Sequence, residues 1–189
     1  MNLDIYRISN FKLQIHKFSF IITFSKGNRM NVSARAILAA AWGAIIIAAF
    51  AAPFLMSRHF PTAAFFTYLP FSFICHQMPE RSFAILGRPL AVCHRCSGIY
   101  LGFFLGTLLS SFILRIPSRV WRTCMIAAAA FLALDAILPL TGIWNGFRLC
   151  RFLTGLFFGV AAAPFAVVGL DEIISLKSFK CSLKEFSHE

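Results

Sequence analysis

Apolar residues run along this chain in stretches longer than a buried strand or an ordinary core helix needs. Ala36 to Met56 carries no charge, and neither does Ser97 to Leu114. Leu149 to Leu170 holds only Arg151, near its start, where a long side chain can reach back to the interface. Thr123 to Leu140 is apolar apart from Asp135. Crossing the bilayer core takes about 20 such residues as a helix. The pattern therefore predicts four transmembrane helices, over 36–56, 97–114, 123–140 and 149–170. The fold class expected is all-α, a polytopic membrane helical bundle.

Two segments break the pattern. Phe60 to Ile74 is uncharged but short, and Pro61 and Pro70 interrupt it. Proline inside a helix removes a backbone donor and clashes with the preceding turn. The segment reads as a re-entrant or interfacial helix in the first outer loop rather than a fifth span. Before Met30, Lys12, Lys17, Lys26 and Arg29 mix with an apolar run, Phe18 to Phe24, too short to span. No convincing small-residue cleavage site follows it, as a secretory signal would require. Residues 1–34 are read as a basic amino-terminal tail, with Met30 expected as the authentic start and the first 29 residues as untranslated upstream sequence. The alternative is a basic tail lying on anionic lipid. Residues 35–172 form the four-helix transmembrane domain, and 173–189 a carboxyl-terminal cytoplasmic tail.

Composition sharpens the class. Of 189 residues, 59% are hydrophobic and 13% charged, and mean hydropathy is +0.76. A soluble domain carries about a quarter charged residues, so disorder, collagen-like repeats and an ordinary soluble enzyme are excluded. The net charge of +11 has a topological use. With four spans, twelve basic residues fall on the side of the termini and six on the other: Arg58, Arg81, Arg88, Arg95, Arg148 and Arg151. Basic residues mark the cytoplasmic side, so both termini are expected there. Without the residues before Met30 the count narrows to seven against six, and Arg115, Arg119 and Arg122 in the short second loop then carry the orientation. Nucleic-acid binding has no support beyond net charge. The partners expected are the lipid bilayer and, through helix contacts, a second copy of the chain.

Chemistry gathers in the first outer loop. Cys75 is followed at once by His76 in CHQMPERSF, and Cys93 and Cys96 form the pair CHRC just before the second span. In that span Gly98, Gly102 and Gly106 recur every fourth residue, and Gly155 and Gly159 do the same in the fourth. Such stripes let a neighbouring helix approach closely, so they are read as packing. Cys124 and Cys181 read as ordinary thiols, and His16, His59 and His188 as solvated residues. No phosphate-cradling glycine loop, nucleophile elbow or CxxCH haem attachment occurs.

CHQMPERSF, a short gap with Gly87, and then VCHRCSGIYLG resemble the signature of a family of small prokaryotic predicted membrane proteins of unknown function. Asp135 and the run NGFRLCRFLTG, with Asn145, Arg148, Thr154 and Gly155, agree with it. The resemblance covers about 71–159 and implies a four-helix membrane protein without assigning an activity. Its pattern does not require the histidine at His94, which favours His76 as a ligand.

With the amino terminus cytoplasmic, Cys75, His76, Cys93, Cys96, Asp135, Asn145 and Arg148 converge on the outer face. Three chemistries compete for the cysteines. Cys75, His76, Cys93 and Cys96 make a set of three thiolates and one imidazole, the complement zinc or another transition metal prefers. Adjacent Cys75 and His76, however, seldom point at one ion without strain. A thiol–disulfide exchange reading also stands, because a helix amino terminus lowers thiol pKa. Cys93 and Cys96 would then be the reactive pair, Cys75 or, more remotely, Cys150 a shuttle, and His76 or Arg95 a thiolate stabiliser. A structural disulfide is the third reading. Asp135 is expected to pair with Arg148 across the third loop, since an unpaired charge within a span is costly. Arg81 reads as an interfacial arginine or a contact to an anionic group.

Overall fold

In a computed structural model, residues 32–141 and 147–186 are described; the side chains of 118, 140, 141 and 175–186 are not. The expectations for the tail before Val32, for the start at Met30 and for Asn145 lie outside the described residues. The order is α1 (Val32–Ser57), α2 (Pro61–Ser72), a 3-10 turn (Pro79–Arg81), β1 (Ser82–Ile85), β2 (Arg88–Cys93), α3 (His94–Ile113), α4 (Ser118–Ile137), a 3-10 turn (Leu138–Thr141) and α5 (Arg148–Phe186).

Among the described residues four helices are long and apolar enough to cross a membrane: α1, α3, Arg119–Ile137 within α4, and Arg148–Ile174 within α5. Between them they expose Ile47, Phe50, Leu108, Phe112, Ile126, Phe131 and Phe157. Water would not tolerate so large an apolar surface, whereas lipid chains solvate it. The chain is a multi-pass membrane protein of the expected all-α class. The short α2 has proline at its first turn, where the missing N–H is not needed, and a second proline, Pro70, inside it. Its twelve residues cannot span, and they bury Ala64 and Phe71 while Phe65 and Phe66 stay exposed.

Side-chain contacts fix the helix directions. Arg35 at the start of α1 donates to the Ser111 hydroxyl near the end of α3, so those two helices are antiparallel. Arg95 at the start of α3 meets Asp135 near the end of α4, so that pair is antiparallel as well. The glycine stripes bring α3 and α5 together as parallel neighbours: Gly98 packs on Phe152 and Leu156, and Gly106 on Val160 and Ala163. The approach is close enough that a Cβ on Gly102 would strike the Leu156 carbonyl oxygen. Buried Thr107 and Ser110 return their hydroxyls to carbonyls of their own helix, Phe103 and Thr107, both at 2.7 Å.

A small hairpin is an addition to the expected all-helical bundle. Leu86 and Gly87 turn it with φ of 52° and 73°, the two positive values a tight two-residue turn needs. Ile85 pairs with Arg88 and Ala84 with Pro89, but Ser82 pairs with Cys93. Phe83 alone therefore faces Leu90, Ala91 and Val92, all three buried. This irregularity swings the end of β2 under α1 and α2. Ala49 and Ala52 of α1, Phe71 of α2, Cys75 and those three residues of β2 make one apolar core.

Candidate metal centre

The cysteine end of the bundle is built from two pieces of backbone. The first is the exit from α2, where the Cys75 N–H bonds the Phe71 carbonyl at 2.8 Å and leaves the residue 5% exposed in the apolar core. The second is the junction of β2 and α3. Cys93 is the N-cap of α3, with φ −71° and ψ 164°, and Cys96 lies three residues further on. N-cap and third-residue side chains face one another across a helix's first turn, as in a capping box. The CxxC spacing therefore converges its sulfurs because the strand ends and the helix begins at Cys93.

The sulfurs of Cys75, Cys93 and Cys96 lie within 4.8 Å of one another. Thiol hydrogen bonds from Cys93 and then Cys96 hold the Cys75 thiol well below its ordinary pKa, and backbone N–H groups of Gln77 and Cys93 add to the effect against the opposing cost of burial. The Cys93 N–H reaches the Cys75 sulfur at 3.2 Å. A sulfur that accepts the Cys93 N–H beside two further thiols is placed to carry negative charge, as a metal-binding thiolate must. The five cysteines whose side chains are described are free thiols. Cys124 and Cys150 are exposed and stand outside the cluster.

His76 does not join the three. Its side chain is exposed while that of Cys75 is buried, because neighbouring residues on an irregular backbone point apart. Among the described residues the group is three cysteines alone, without the histidine expected as a fourth ligand. His94 is buried away from solvent, 1% exposed and edge-on to Phe83 at 4.2 Å between ring centroids.

Asp135 is buried, as expected, but its partner is Arg95 rather than Arg148. The guanidinium reaches Oδ2 at 2.9 Å through Nε and 2.5 Å through Nη2, and Nη2 also bonds the Asp135 carbonyl at 2.9 Å. Arg95 sits on the first turn of α3, level with the last turns of antiparallel α4, whereas Arg148 starts α5 with its side chain exposed. The arginine inside the CHRC run is thereby committed to a carboxylate and not to a thiolate. Arg81 is exposed in the 3-10 turn before β1.

Residues 75–165 match the family described as "Predicted membrane protein (DUF2085)". An uncharacterised protein of Methanocaldococcus jannaschii is 38% identical over 118 residues, 60% of this chain and 73% of that one. The chain belongs to the DUF2085 family. A second uncharacterised relative, from Methanothermobacter thermautotrophicus, is 36% identical over 101 residues, 52% of this chain and 88% of its own length. No solved structure matches. The DUF2085 match begins at Cys75 and runs through both halves of the thiol cluster, Asp135 and the glycine stripe of α5.

Gln77 went unnoticed in the sequence. Its carboxamide donates to the Tyr68 carbonyl at 2.8 Å and to the Ala91 carbonyl at 3.0 Å. The one available signal was its place as the last letter of CHQ.

Proposed function

We propose that this DUF2085 protein holds a thiophilic transition-metal ion, of the zinc type, on the exoplasmic side of the membrane, with Cys75, Cys93 and Cys96 as its protein ligands. The observation that carries the reading is the convergence of three sulfurs within 4.8 Å. Three thiolates suit zinc and other soft or borderline ions, and exclude the hard cations that demand oxygen. The basic residues of the second loop and the termini support the exoplasmic side. Metal analysis of the purified protein, its Cys93→Ser variant and a variant with all three cysteines changed to serine tests it. One ion per chain is expected, reduced in the first variant and absent in the second. Stoichiometric metal that survives loss of all three cysteines overturns the reading.

The state of Cys75 supports a second reading, thiol–disulfide exchange, because its sulfur is held toward the thiolate beside two thiols. The same preparations distinguish it. Alkylation followed by mass measurement would find a disulfide that forms and reverses with an exchange partner, and no stoichiometric metal.

A further inference from the structure

Gln77 ties together the two pieces of backbone that carry the thiol cluster without belonging to it. It stands two residues after Cys75, on the same irregular segment. Both hydrogens of its carboxamide are used, one on Tyr68 of α2 at 2.8 Å and one on Ala91 of β2 at 3.0 Å. Ala91 lies two residues before Cys93, and α2 leads directly into Cys75. One side chain thus spans from the segment that carries the first thiol to the strand that ends at Cys93 and leads into α3 with Cys96. The brace holds despite an unfavourable backbone, since Gln77 has φ of 47°. A non-glycine residue rarely adopts that region, and does so where surrounding contacts over-determine it.

We infer that Gln77 is the positioning residue of the cluster, fixing the separation of Cys75 from Cys93 and Cys96 so that all three sulfurs reach one ion. The inference rests on the metal reading above. A second strap joins the same elements: the Tyr68 hydroxyl donates to the Pro89 carbonyl at 2.5 Å. That strap holds α2 to the hairpin but makes no bond to the turn that carries Cys75. It supplies the control for a merely structural role.

The test is anaerobic titration of the full chain in detergent with Co²⁺, following the sulfur-to-cobalt charge-transfer absorption, whose intensity rises with the number of thiolates. The unsubstituted chain is expected to show a three-thiolate band. In Gln77→Glu the carboxylate cannot donate to either carbonyl. The band should fall to two-thiolate intensity and the apparent affinity by about ten- to a hundredfold, the range seen when outer partners of metal ligands are removed. Tyr68→Phe should keep the full band, with affinity within about threefold of the original. Should Gln77→Glu fail to fold, Gln77→Met removes the donor at similar length without adding charge, and the same loss is expected. A full band and unchanged affinity in the Gln77 variants, or an equal loss in Tyr68→Phe, overturns the inference while leaving the metal site standing. No band in the unsubstituted chain overturns the metal reading and this inference together.

Discussion

Cys93 donates its backbone N–H to the sulfur of Cys75 at 3.2 Å, across 18 residues of chain. The same residue caps α3 and turns its own thiol toward Cys75. The start of a transmembrane helix and the exit from the short α2 are therefore locked through one sulfur atom. A metal ion placed there would tie the loop between the first two spans to the bundle, so binding and loop order are coupled.

The hydrogen-bond pattern sets the proton count for metal uptake. Cys75 enters with its pKa lowered by the hydrogen bonds its sulfur accepts. Three metal–thiolate bonds need three deprotonated sulfurs, so a Cys75 already held toward the thiolate keeps the proton release below three per ion. Affinity should fall as pH falls, because protons compete with the ion for the sulfurs. Calorimetry in buffers of different ionisation enthalpy measures the count, and a value near three would show that Cys75 is not held as the thiolate.

The Arg95–Asp135 pair makes a stability prediction. Asp135 is 8% exposed and Arg95 spends three hydrogen bonds on it. Asp135→Asn keeps the shape but leaves the guanidinium without its counter-ion, and breaking a buried pair from one side costs about 3–5 kcal/mol. Arg148→Ala, at an exposed side chain, should stay within about 0.5 kcal/mol of the parent. Thermal unfolding in detergent should separate the two variants clearly; equal midpoints would contradict the assignment of Arg95 as the partner.

Helix contact predicts a contrast between glycines. At Gly102 an added methyl would meet the Leu156 carbonyl and the backbone of Gly159 and Val160, which cannot yield as a side chain could. Gly102→Ala should destabilise by about 3 kcal/mol, the upper part of the usual overpacking range. Gly169 has nothing within 4 Å of an added Cβ. Gly169→Ala should be neutral or stabilising by up to about 1 kcal/mol from helix propensity. Midpoints from the same thermal assay check both.

How much of this was legible in the sequence depends on the length scale of each signal. The four spans were, because a run of twenty apolar residues has few other uses, and the proline-broken segment read correctly as something other than a span. The glycine stripes told of packing but not of which helices meet. The hairpin left no trace: Leu90, Ala91 and Val92 are buried in succession, so there is no alternation to read, and Leu86–Gly87 lacks the Asn–Gly or Asp–Gly of a typical tight turn. The cysteine triad was legible from CxxC and the lone Cys75. His76 was not separable from it until the backbone showed Cys75 turned inward and its neighbour outward. Asp135 was assigned to Arg148, thirteen residues on in the chain. The first turn of α3, level with the last turns of α4, brings Arg95 to it instead, from 40 residues away.

X-ray absorption at the metal edge of the zinc-loaded protein tests the central claim most directly, because it counts sulfur neighbours. Three thiolate ligands predict a dominant shell of three sulfurs at about 2.3 Å, with one lighter atom at about 2.0 Å completing a tetrahedron. Cys93→Ser should reduce the sulfur shell to two. A shell of nitrogen and oxygen alone, with no sulfur scattering, would contradict the account.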